Sequence, residues 1–296
     1  MRAMTPTVVR IDAHSPQGRL LDASQPIIDV EDEGYTRGDG VFETMLCVDG
    51  AVRKLPRHLA RLDHSAQLLQ VWNPGEDSWR AALDLALQSA AEGTTTSLGR
   101  EHTVKLLVSR GVPSEQPYGL VIVSPVPAST ITQRTDGVTA LLLPRGHDPA
   151  EDTSLPWLLS GAKTLSYAIN MAVLRYVRTL GAQEAVFIGT DRRILEGATS
   201  SVIVAHRTES GVRISTPEPN HGILPGTTQG AIFAGARDEG WEVGFGPLYP
   251  ADLMEADAVW LASSVRLLAP VTQLNGQALA TDDQLTLTLT EFLRTR

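Results

Sequence analysis

The sequence predicts a two-domain α/β (α+β) fold, on three observations. A chain of 296 residues with 42% hydrophobic content can bury more than one sizeable core. Short β-branched runs alternate with longer segments whose apolar residues recur every three or four positions, so strands and helices interleave. One stretch, Ser124-Pro125-Val126-Pro127-Ala128-Ser129-Thr130, is rich in Pro and Ser and reads as a connection. The expected division is an N-terminal α/β domain at 1–124, an interdomain linker at 125–136 and a larger C-terminal domain at 137–296.

Taken in order, Val8 to Ile11 and Val41 to Val48 read as strands. Leu55 to Val71 reads as a helix, because Leu55, Leu59, Leu62, Ala66 and Leu69 fall on one face. Ser78 to Ala91 is a second helix. Thr103 to Val108 and Gly119 to Val123 are strands separated by the turn Gly111-Val112-Pro113-Ser114. Past the linker, Gly137 to Leu143, Glu184 to Ile188, Ser201 to Ala205, Val212 to Ser215 and Ala258 to Ala262 read as strands. Helices are expected at Ser166 to Thr179, Thr227 to Glu239 and Asp282 to Leu293. There is no internal repeat.

Composition narrows the function classes. The formal net charge of -9, with no basic run, argues against nucleic acid or an anionic membrane surface as partner. The single cysteine, Cys47, rules out an intramolecular disulfide and a cysteine-built metal centre. No apolar stretch reaches the roughly 18 to 20 residues that span a bilayer, and Met1 to Thr7 carries no signal-peptide core, so a cytoplasmic location is expected. The histidines lack metal-ligand spacing, so no metal is expected. Neither G-x-G-x-x-G after a strand nor a Walker-type loop occurs, which leaves nucleotide binding unsupported.

Three segments carry chemistry. In Leu158 to Tyr167, L-L-S-G-A-K-T-L-S-Y, one lysine stands between a small-residue turn and an apolar-periodic run. Held on a short, partly buried segment, the Lys163 amine is expected to be desolvated and nucleophilic toward an aldehyde. Arg192 to Val204 follows the strand at Glu184 to Ile188 and a Gly-Thr-Asp turn. It places Glu196 on a second strand, with the hydroxyls of Thr199 and Ser200 beside it. Asn220 to Ile232 opens a helix behind Pro225-Gly226 with Thr227 and Thr228, whose amides and positive dipole end suit a phosphate; ordinary capping by Thr227 fits the same residues.

The order lysine, carboxylate-bearing strand, phosphate-ready helix start resembles that of the fold-type IV, or class IV, pyridoxal-phosphate enzymes. Gly38-Asp39-Gly40-Val41-Phe42-Glu43-Thr44 is similar to that family's G-D-G-V-[FY]-E-T segment, and His58-Leu59-Ala60-Arg61-Leu62 to its H-[IL]-x-R-L segment. Leu106 to Gly111 resembles a segment that contributes a substrate-facing arginine, and Leu261 to Arg266 with Pro270-Val271 resembles the last cofactor-contacting turn. The resemblance covers most of the chain. It implies a smaller N-terminal α/β domain, a larger β-barrel-like C-terminal α/β domain, pyridoxal 5'-phosphate between them, and a homodimer as the active unit.

Residue by residue, the resemblance implies that Lys163 joins the cofactor covalently and serves as catalytic base, and that Glu196 pairs with the pyridinium nitrogen. Arg61, Thr227, Thr228 and Ser264 would hold the phosphate; for Arg61 an ion pair with Asp63 or Glu43 fits the sequence equally well. Tyr167, Thr199, Ser200, Leu224, Gly226 and Ser263 complete the expected cofactor contacts. Lys163 again or Thr44 is the candidate proton donor to the leaving group, and Phe42, Arg110 and Arg145 are the expected substrate contacts; a surface position remains open for both arginines.

The chemistry within the family is a separate matter. Branched-chain aminotransferases carry a G-G-N-Y type sequence after the lysine, where this chain has Thr164-Leu165-Ser166-Tyr167. D-amino-acid transaminases place a tyrosine at Phe42 and a basic residue at Leu46, both missing here. The K-T-L-[NS]-Y pattern, with V-S-R-G and the S-[SV]-x-R turn, most resembles the aminodeoxychorismate lyase branch, with Ser166 and Ser263 standing where asparagine is commoner. The expected reaction is release of pyruvate from a small-molecule substrate, 4-amino-4-deoxychorismate, leaving 4-aminobenzoate for folate biosynthesis. The alternatives are transamination of D- or branched-chain amino acids and cofactor carriage without turnover; a carboxylate at Glu196 argues against mere carriage.

Overall fold

The computed structural model describes residues 5–92, 101–146, 155–209, 211–219 and 222–295, which divide into two units. The first comprises 1–127 and 162–167. It contains β1 (Thr7–Asp12), β2 (Ser15–Leu21), α1 (Glu33–Arg37), β3 (Gly40–Val48), β4 (Ala51–Val52), α2 (Leu55–Leu69), α3 (Glu76–Glu92), β5 (Glu101–Ser109) and β6 (Tyr118–Pro125). The strands form an antiparallel sheet in the order β2-β1-β6-β5-β3-β4. Side chains alternate between faces of a strand, so Val41, Glu43, Met45 and Cys47 of β3 point one way, and Phe42, Thr44 and Leu46 the other. Onto the first face α2 lays Leu59, Leu62 and Ala66, and α3 lays Trp79, Ala82, Leu83 and Ala86, at helical spacing.

The second unit comprises 128–161 and 168–296. It contains α4 (Ala128–Asp136), β7 (Val138–Pro144), α5 (Ala168–Thr179), β8 (Glu184–Ile188), β9 (Ile194–Gly197), β10 (Ser201–Thr208), β11 (Gly211–Pro217), α6 (Thr227–Asp238), β12 (Glu242–Gly246), α7 (Pro250–Met254), β13 (Ala258–Ser263), β14 (Leu267–Leu274), β15 (Gln277–Ala278) and α8 (Asp283–Thr295). Among the described residues its sheet runs β12-β11-β10-β13-β14-β7-β8-β9, with β15 on β14. The sheet is mixed, parallel at β11-β12, β14-β7 and β7-β8. It curls, because β9 at one end also packs on β10. One face buries α6 and α8 around Ile232, Phe233, Trp260, Leu289 and Phe292; the other buries Val186, Val204, Leu261 and Val271.

Two features differ from the expected division. Residues 128–136, expected to be linker, form helix α4, which packs on β14 and whose Arg134 donates to the carbonyls of Val265 and Arg266. The helix starts directly after Pro127, so Ala128, Ser129 and Thr130 of the Pro- and Ser-rich stretch already belong to it. Residues 162–167, expected in the C-terminal domain, group with the first unit: Phe42 N donates to the Lys163 carbonyl (2.9 Å), Leu165 N to that of Gly40 (2.8 Å), and Val41 bridges to Thr164. These backbone bonds dictate where the lysine belongs.

Candidate active site

In the first unit, the Lys163 amine lies over the Phe42 ring, 4.3 Å from its centroid, and 5.4 Å from that of Tyr167. The two rings meet edge to face at 5.3 Å. Three residues that the sequence singled out, Lys163, Phe42 and Tyr167, are thus brought together. The lysine's backbone is anchored by α2, where its N–H donates to the Ser65 hydroxyl (3.1 Å), which itself donates to the Arg61 carbonyl (2.9 Å). Ser65 is fully buried, and sequence reading overlooked it. Its only local signal is the four-residue spacing from Arg61 along one helical face. Thr44 lies on the Phe42 face of β3, half-buried, two residues along.

Behind that strand Glu43 is fully buried, and Arg61 grips it with Nε (2.6 Å) and Nη2 (2.8 Å) while the His58 ring nitrogen Nδ1 lies 2.7 Å from its second oxygen. Burial alone would raise the Glu43 carboxyl, but the hydrogen bonds from Arg61 and His58 outweigh it and hold it at about 2. Burial keeps His58 below its ordinary value despite the carboxylate beside it. Of the partners the sequence allowed Arg61, Glu43 is the one observed; Asp63 instead accepts from Gln67 and Asn73.

The Arg110 guanidinium clamps both oxygens of Asp39 and donates to the carbonyls of Leu69 and Gln70 at the end of α2, so it fastens the Gly38-Asp39-Gly40 turn to the helix.

In the second unit, Glu196 on β9 is half-buried, and the Leu224 N–H donates to its Oε2 (3.3 Å). Ser200 is buried with its hydroxyl unpartnered among the described residues, while Thr199 is exposed on the turn before β10. Helix α6 begins at Gly226 with no side-chain cap, and Thr227 and Thr228 form its buried first turn. The capping alternative for Thr227 is not what its hydroxyl does: it meets the Ser264 hydroxyl at 3.1 Å. A side chain at Gly226 would run into the Ser201 hydroxyl, so only glycine lets the chain pass there. Ser263 ends β13, one residue before Ser264. Arg145 sits over the Phe187 ring at 4.8 Å, and its Nη1 is buried without a partner among the described residues. Asn220 and His221, part of the motif that leads into α6, lie outside the described residues.

These groups fit pyridoxal phosphate on the donor set alone: an amine against aromatic faces, a carboxylate held by a backbone amide, an uncapped helix start flanked by hydroxyls, and an orphaned buried serine hydroxyl. Residues 40–274 match the family model for amino-transferase class IV. The chain is 40% identical, over 88% of its length and 91% of the relative's, to the bifunctional aminodeoxychorismate lyase / D-amino acid transaminase of Mycobacterium tuberculosis. The structure matches a PLP-bound hypothetical aminotransferase from M. tuberculosis with a TM-score of 0.89 and 37% identity, covering 98% of both chains. It also matches a fold IV transaminase from Curtobacterium pusillum at 0.90 and 35%, covering 98% and 99%. The chain belongs to the class IV aminotransferase family of pyridoxal-phosphate enzymes. Among the described residues no helix is long and apolar enough to cross a membrane.

Proposed function

We propose that this enzyme converts 4-amino-4-deoxychorismate to 4-aminobenzoate and pyruvate, and that it works as a homodimer in the cytoplasm. The observation that carries the reading is the setting of Lys163, whose amine lies against the aromatic rings of Phe42 and Tyr167. Flat aromatic walls suit a planar six-membered ring, and Phe42 lacks the hydroxyl that D-amino-acid transaminases place there. Bound pyridoxal phosphate supplies an electron sink for bond breaking beside the substrate nitrogen. Lys163 tethers the cofactor and then takes the proton from the substrate ring at its Nζ. The Glu196 carboxylate keeps a proton on the pyridine nitrogen. Thr227, Thr228 and Ser264 hold the phosphate, and Arg61, whose guanidinium the Glu43 clamp fixes, is the further candidate for it. Thr199, Ser200, Leu224, Gly226 and Ser263 line the same end. Lys163, which carries the proton taken from the ring, returns it to the departing enolpyruvyl group, directly or through the Thr44 hydroxyl, and Arg145, with Arg110 bonded to Asp39, receives a substrate carboxylate.

A second activity, transamination of D-amino acids with a 2-oxo acid, is favoured by the 40% identical relative, whose name carries both reactions. One preparation tests both. Given aminodeoxychorismate and no acceptor, it should release pyruvate and 4-aminobenzoate, and turn over D-alanine with 2-oxoglutarate more slowly. Faster turnover of D-alanine by a wide margin overturns the lyase reading. Borohydride should fix the pyridoxyl group on Lys163. The competing amine is Lys54, which burial and then its neighbours Arg53 and Arg57 lower to about 8; an adduct there would refute the assignment of Lys163.

A further inference from the structure

The turn Ser264-Val265-Arg266, which carries the proposed phosphate ligand Ser264, joins β13 to β14 and ends on Leu267 in the left-handed region, at φ 64°. Three-residue hairpin loops place a residue in this conformation routinely, but the position favours glycine, and a leucine there is strained. Such a conformation persists only where its surroundings over-determine it.

Two arginines do so here. From α4, Arg134 donates Nη2 to the Val265 carbonyl (2.7 Å) and Nε to the Arg266 carbonyl (3.2 Å), holding the turn by its backbone. Arg266 itself turns inward, 5% exposed, and pairs through Nη1 with Glu184 at the start of β8, a residue equally buried. Its Nε and Nη2, like Oε2 of Glu184, are buried without a hydrogen-bond partner among the described residues, so the pair holds the end of the turn through one contact. The turn held in this way carries Ser264, which meets Thr227 at the uncapped start of α6.

We infer that Arg134 and Arg266 are positioning residues for the cofactor phosphate, acting through the Ser264 turn: Arg134 fixes its backbone, and Arg266, anchored on Glu184, ties its end to β8. Neither residue touches the phosphate. The inference rests on the assignment of the phosphate to Thr227 and Ser264.

The test compares pyridoxal phosphate with pyridoxal, which lacks the phosphate, by titrating each into the cofactor-free full chain and following absorbance. Arg134→Gln, on a helix with no buried residues, should fold, and Arg266→Gln probes the buried partner. Each should weaken pyridoxal phosphate by roughly tenfold, the lower end of what supporting groups one contact removed from a bound ion contribute, while pyridoxal stays within about twofold. Equal weakening of both ligands, or no change in either for Arg134→Gln, overturns the inference. Ser264→Ala and Thr227→Ala tell the two failures apart: if these also fail to discriminate, the phosphate site itself is misplaced.

Discussion

A carboxylate with no exposure to solvent is tolerated only where hydrogen bonds replace its hydration, and Glu43 has two from Arg61 and one shared with His58. Its depressed value, about 2 against an ordinary 4.5, means that the folded chain refuses a proton which the unfolded chain takes up. That stability is complete above about pH 4.5 and is lost as pH falls toward 2; the difference corresponds to about 3 kcal/mol. His58, kept low by burial, acts in the same direction, since acid protonates it more readily in the unfolded chain. Glu43→Gln should therefore be less stable at neutral pH and show a flatter decline below pH 4.5, measured by thermal unfolding across pH. A decline parallel to that of the unsubstituted chain would assign the acid limb to other carboxylates. Sequence reading named Glu43 as one of two partners for Arg61, because spacing cannot show which carboxylate a sheet will press against a helix.

At the scale of elements, α6 does two things at once: its first turn opens onto the proposed phosphate cradle, and its last turns pack on α8. A side chain at Gly235 would run into the Phe292 ring, so this glycine is there for close helix approach. Gly235→Ala should gain about 1 kcal/mol of helix propensity yet lose more to overpacking, typically 1 to 3 kcal/mol, for a net loss in urea denaturation. Adding Phe292→Leu should recover part of the loss; if Gly235→Ala alone stabilises the chain, the two helices do not need that approach. Elements with a strong period, α2, α3, β3 and β8, were legible in the sequence. Those without one were not. The strand β2, Ser-Pro-Gln-Gly-Arg-Leu-Leu, has no buried residue and no alternation. The strand β14 contains Pro270, ordinarily a strand breaker; it lies just before the pairing with β7 begins at Val271.

For the molecule as a whole, the proposed homodimer has a direct consequence. Trp157, Ile169, Tyr176 and Leu180 of the second unit are exposed in the single chain. Large apolar residues such as these, three of them on α5 or directly after it, are costly to leave in water. Sedimentation equilibrium at micromolar concentration should return the mass of two chains; a monomer under those conditions overturns the dimer.

Order along the chain was enough to place this protein among the class IV enzymes and to single out Lys163, Glu196, Thr227 and Ser264, because those residues sit in short motifs whose chemistry is local. It was also enough to bound the fold, since strand and helix periods are written into neighbouring residues. Only the tertiary structure decided that the Lys163 segment pairs with β3, that Arg61 grips Glu43, that Arg110 is committed to Asp39, and that Arg134 and Arg266 stand behind the Ser264 turn. The partners in those pairs are separated by between 18 and 132 residues. No local period or motif encodes such a meeting, which is settled by which sheet face buries which helix and by the requirement that each buried charge find a partner.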